Sequence, residues 1–128
     1  MHINLLVQGE PDVSPLTITS QYSTKTDEEI FANQVAMVKN KLDRNLKINI
    51  NECITLYSAF IVSEIHNGKT TEQIQENAPN LLSPEQVMIG VPETLRKMSF
   101  KLTLDDATVR LVVLDTPICI SDYILRSA

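Results

Sequence analysis

Hydrophobic periodicity divides this 128-residue chain into an ambiguous opening, a helical middle and an alternating end. The helical signals begin at Thr26. Thr26 with Glu29 forms a capping box, in which hydroxyl and carboxylate each satisfy an unpaired backbone N–H. Phe31, Val35, Val38 and Leu42 then recur at helical spacing, and Asn45 suits the left-handed conformation that ends a helix. The pattern predicts a first helix over about Asp27 to Arg44 and a second over about Asn51 to His66. Ile54, Tyr57, Phe60, Ile61 and Ile65 give the second an apolar face wide enough for more than one neighbour. Gly68 is its natural stop. Thr70 with Gln73 opens a short helix that ends before Pro79. Ser83, Pro84 and Gln86 give another start, with proline in the first turn, for a short helix expected to end at Gly90.

Beyond Pro92 the period changes to two. Met98, Phe100, Leu102 and Leu104 alternate with Ser99, Lys101 and Thr103, the pattern of a half-buried strand. Asp105, Asp106 and Ala107 read as a turn, and Val109, Leu111 and Val113 as the inward positions of an antiparallel partner. An isolated hairpin is marginal in water, so this one must pack on the helices or on another chain. At the other end, Ile3, Leu5 and Val7 alternate with polar residues. Leu16, Ile18 and Ser20 follow an interruption at Gly9, Pro11 and Pro15. A hairpin, an arm pairing with a partner and a partly ordered tail all fit.

The fold class is therefore α+β: a helical body of two longer and two short helices with a C-terminal antiparallel β-hairpin. The chain divides into an N-terminal extension (1–25), a main domain (26–118) and a C-terminal tail (119–128). The expected core is Phe31, Val35, Val38, Leu42, Ile54, Tyr57, Phe60, Ile61, Ile65, Leu82, Val87, Phe100, Leu102, Leu111 and Val113.

Composition agrees with one ordinary globular domain, at 43% hydrophobic and 21% charged residues. No apolar run reaches the length of a membrane span, and Met1 to Val7 lacks the marks of a secretory signal, so an intracellular protein is expected. A net charge of −5 argues against nucleic-acid binding. Lys39, Lys41, Arg44 and Lys47 make one small basic patch, readable as favourable charge at a helix C-terminus. Cys53 and Cys119 sit on different elements with no metal-binding spacing and read as reduced, buried thiols.

Candidate chemistry is sparse. Of the two histidines, His2 lies in the ambiguous opening and His66 at a helix end, where an imidazole meets the helix dipole. A zinc or nickel site needs three or four convergent ligands, which two scattered histidines do not supply. Asp105 and Asp106 are adjacent carboxylates in an expected turn. Glu52 and Glu64 read as solvated or interface charges. No P-loop, dinucleotide fingerprint or nucleophile elbow is present. The reading assigns no catalytic, cofactor-binding or metal-binding residue.

Five fragments nevertheless stand in a telling order: NLKINI (45–50), LYSAFI (56–61), NGKT (67–70), LLSPEQVMIGVPE (81–93) and LDTPI (114–118). Together they resemble the urease gamma subunit family, whose members read like GLKLNY, LISAFI, DGKT, LTREQVMEGVPE and VHDPI at the same spacings. The resemblance spans roughly Thr26 to Ile118. Asn45 stands where Gly is usual, Ile89 where Glu or Asp is usual, and Asp115 where His is usual. About 25 residues precede the resembling region. The resemblance implies a non-catalytic structural subunit of a cytoplasmic urea amidohydrolase complex. It implies assembly with beta and alpha subunits as a trimer of three-chain units. Nickel would lie in the alpha subunit, and no cofactor in this chain. The alternative is a diverged paralogue, a free-standing homo-oligomeric binding module. A small independent enzyme using His66 is a third class.

Overall fold

A computed structural model describes residues 2–8, 16–21, 25–104 and 106–118. Two antiparallel hairpins join into one four-stranded sheet. Strands β1 (His2–Gln8) and β2 (Leu16–Gln21) form the first hairpin, and β3 (Lys97–Thr103) and β4 (Val109–Asp115) the second. The order is β2-β1-β3-β4, so β1 pairs with both β2 and β3. Between them run α1 (Lys25–Asp43), α2 (Ile50–His66), α3 (Thr71–Asn77) and the single turn α4 (Val91–Thr94). The α+β class expected from the periodicity is the one found.

Register explains which sheet face is buried. Leu5 pairs with Phe100 and Phe100 with Val112, while Val7, Met98 and Leu114 form the next row. Residues directly opposite one another point to the same face. These six, with Ile3 and Leu102, are buried in one cluster with the inner faces of the helices. The C-terminal hairpin thus packs on the helices of its own chain.

The expected inner face of β4 is corrected. Val112 and Leu114 point inward, whereas Leu111 is 63% exposed and Val113 only half-buried. The cause is the turn. Leu104 N–H donates to the Thr108 carbonyl and Ala107 N–H to the Leu104 carbonyl, with Ala107 at φ 67°. This three-residue loop pairs even-numbered residues with even-numbered ones. A two-residue loop would have inverted the face. Phe31 is also corrected from core to half-buried, and Val35, Leu42, Phe60 and Ile65 pack only at the core margin.

Each long helix ends on a left-handed residue. Asn45 (φ 58°) follows α1, with Leu46 N–H donating to the Lys41 carbonyl and Asn45 N–H to that of Leu42. Gly68 (φ 76°) follows α2 with the same pair of bonds, Lys69 to Glu64 and Gly68 to Ile65. Both are Schellman motifs. Helix α1 starts at Lys25, so Thr26 stands inside its first turn rather than before it. Helix α2 starts one residue earlier than expected because Asn49 and Glu52 form a reciprocal capping box, at 2.9 and 3.0 Å. The Thr70–Gln73 box is present as expected.

The helix expected from Ser83 to Gly90 is a single 3₁₀ turn, Pro84–Gln86. Beyond it, Val87 is captured by Ile48 in a parallel bridge. Ile48 N–H donates to the Gln86 carbonyl and Met88 N–H to the Ile48 carbonyl. Gly90, at φ 89°, opens α4 instead of closing the preceding turn.

Candidate interaction surfaces

Two of the carboxylates weighed from the sequence, Glu52 and Asp106, have structural partners. Glu52, placed among solvated or interface charges, has other work. Its carboxylate caps α2 and meets Lys41 Nζ of α1 at 2.6 Å. Burial alone would raise its pKa, but hydrogen bonds from Lys41 and the Asn49 backbone, with the Lys41 charge, hold it below the ordinary 4.5. The basic patch is thereby divided. Lys41 links two helices, while Lys47 lies past the helix end and donates to the Glu85 carbonyl at 2.9 Å.

Asp106 accepts from Thr108 N–H at 3.0 Å, the local bond that makes Asp a turn residue, and hydrogen bonds from the Thr108 side chain and then its N–H lower the Asp106 carboxyl pKa. Asp105 lies outside the described residues. His66 is exposed at the end of α2, and the side chain of His2 is not among those described. Cys53 is a buried free thiol, pushed up to about 12 by burial and then by the Glu52 charge. Beside it, burial and the Cys53 charge raise the buried Tyr57 hydroxyl. Cys119 lies outside the described residues. Among the described residues, no three His, Cys, Asp or Glu side chains come together as a metal site. No described helix is long and apolar enough to cross a membrane.

What the described surface offers instead is apolar contact area. Ile89 is fully exposed on the turn before α4, and its neighbour Met88 is also exposed. Two backbone bonds tie the segment just before Ile89 to Ile48. Separately, a cleft of about 430 Å³ opens between Leu42, Gln86 and the exposed Leu46. Val109 and Leu111 project outward from β4. Beside them the strand is tied to α3 by Gln75, which donates to the Val113 carbonyl at 2.9 Å, and to the loop before α3 by Arg110, which donates to the Lys69 carbonyl. Contiguous exposed apolar side chains on a small domain mark contact sites. Sequence reasoning had singled out Ile89 as a departure; the bridge that presents it is long-range and was not visible there.

The model of the urease gamma subunit family matches residues 21–118. The chain belongs to the urease gamma subunit family. A urease subunit gamma from Halalkalibacterium halodurans is 33% identical over 82 residues, covering 64% of this chain and 81% of the relative. The family-like fragments have legible structural jobs. NLKINI and LLSPEQVMIGVPE are the two sides of the Ile48–Val87 bridge. NGKT holds the end of α2 and the cap of α3. LDTPI closes β4 and buries Pro117 and Ile118, with Thr116 N–H donating to the Arg96 carbonyl at 2.6 Å. Strand β1 lies wholly outside the matched region, yet Ile3, Leu5 and Val7 are part of the core.

Proposed function

We propose that this chain is a non-catalytic structural subunit of a cytoplasmic urease complex. It would assemble with beta and alpha subunits as a trimer of three-chain units. The family match over residues 21–118 is the observation that carries this reading. The exposed apolar side chains of Met88 and Ile89 support it, because such surface gains free energy when a partner covers it. The contribution is mechanical. A buried subunit interface stabilises every chain that shares it by mass action. The nickel ions and the hydrolysis of urea to ammonia and carbamate belong, on this reading, to the alpha subunit.

The test is coexpression with urease alpha and beta chains, followed by purification on a tag carried by this chain. Co-elution with the alpha chain, and a loss of urea hydrolysis when this chain is omitted, are expected. Elution of this chain alone, with hydrolysis unaffected by its omission, would sink the proposal. One observation favours the alternative of a free-standing paralogue. The N-terminal hairpin completes the sheet from within the chain, so the core is covered without a partner. That alternative predicts the second outcome.

A further inference from the structure

Of the chain's asparagines, only Asn67 is followed by glycine. In an open chain that pairing is chemically unstable. Gly68 has no β-carbon to hinder its backbone nitrogen, so that nitrogen, once deprotonated, can reach the Asn67 side-chain carbonyl carbon. Attack closes a five-membered succinimide and releases ammonia, and water then opens the ring at either carbonyl. Opening at one gives aspartate and at the other isoaspartate. In sum the amide takes up one water and loses one ammonia. Asn67, Gly68 and Lys69 are all exposed, so hydroxide and water have access.

The end of α2 opposes the ring closure. Gly68 N–H donates to the Ile65 carbonyl at 3.1 Å and Lys69 N–H to the Glu64 carbonyl at 3.0 Å, the two bonds of the Schellman motif. A donated N–H gives up its proton only when the bond opens. Asn67 stands at φ −84°, ψ 6°. With ψ near zero, the Gly68 nitrogen eclipses the Asn67 nitrogen and is turned away from the side-chain carbon. Arg110 of β4 donates to the Lys69 carbonyl, so a second element clamps the turn from outside. We propose that Asn67 is a latent deamidation site, primed by Gly68 and kept unreacted by the Arg110-clamped turn between α2 and α3. Conversion to aspartate turns NGKT into DGKT, as family members read, and leaves the main chain its length. Conversion to isoaspartate adds a carbon to the main chain inside the motif and breaks its register. The proposal goes beyond the urease-subunit reading and does not depend on it.

Peptide mapping by mass spectrometry of the purified full chain, held at mildly alkaline pH with and without denaturant, reads the site directly. In denaturant, Asn67 should convert ahead of every other asparagine. Gly68→Ala should slow that conversion, because a β-carbon then crowds the attacking nitrogen. In native buffer the reaction should be slower by roughly tenfold or more, and the Gly68 amide should be protected from hydrogen exchange by a similar factor, since one local opening admits both. Arg110→Met, which releases the Lys69 carbonyl, should speed the native reaction several-fold while core amides keep their protection and the denatured rate stays unchanged. A native rate equal to the denatured one would overturn the proposal. So would faster conversion at another asparagine in denaturant, or a native rate indifferent to Arg110→Met.

Discussion

Leu5 and Leu6 are adjacent, chemically identical and on opposite faces of β1, which makes their replacement by alanine a controlled test of the N-terminal hairpin. Leu5 is 2% exposed and sits in the row with Phe100 and Val112, at the centre of the sheet's inner face. Removing a fully buried leucine side chain costs about 3 kcal/mol, from lost transfer energy and the cavity left behind. Leu6 points outward, half-buried opposite Thr17 and Ser99, and its loss should cost about 1 kcal/mol or less. At about 2.1 cal/mol/K per residue, a chain of 128 residues has an unfolding entropy near 0.27 kcal/mol/K. Leu5→Ala should therefore lower Tm by about 11 °C and Leu6→Ala by about 4 °C or less. Calorimetry of the full chain reads both, provided the transition is two-state. If β1 were a dispensable arm, neither substitution would matter. Melting temperatures within about 2 °C of each other would refute the placement of β1 in the core.

Three further outcomes are expected. The folded-state pKa of Glu52 lies below its unfolded value, so the folded chain binds fewer protons and its stability contribution is present above about pH 4.5 and lost as pH falls through the folded value. Thermal melts between neutral and acidic pH should show a decline below that point, part of it absent in Glu52→Gln; an identical decline in both would exclude Glu52 as a source. In a Cys119→Ser background, Cys53 should give no thiol signal with a disulfide reagent at pH 8 until denaturant is added, because it is buried and its thiolate is disfavoured; immediate reaction would contradict that burial. Ala107→Gly should raise stability by about 1 kcal/mol, seen as a higher denaturant midpoint with unchanged slope, because φ 67° strains any side chain with a β-carbon; a lower midpoint would refute that account of the turn.

What the sequence disclosed and what it hid follow one physical line. The helices were legible because their caps and periodicity are local: Thr70 with Gln73, Asn45 and Gly68 act within a few residues. The start of α2 was missed by one residue because Asn49 and Glu52 form their box around an apolar Ile50. The face of β4 was inverted because Val109 to Leu114 offers apolar side chains on both faces, and only turn geometry decides between them. The run after Ser83 carried true helix-start signals, but a bridge to Ile48, far away in the chain, overrode them after one turn. Distance along the chain likewise hid the pairing of β1 with β3, and the Lys41–Glu52 contact depends on how two neighbouring helices pack. The absence of assigned catalytic residues left no site pattern to read. The exposure of Met88 and Ile89 emerged only once burial separated core from surface.

The central position of β1 sets a schedule for the chain's birth. Its partner β3 lies roughly ninety residues downstream, so at about 5 to 20 residues per second the ribosome needs roughly 5 to 18 s to deliver it. Through that interval Ile3, Leu5 and Val7 have been synthesised without their final cover. A strand made early is thus locked late, and chains emerging side by side on one message would present the same unfinished strand to each other.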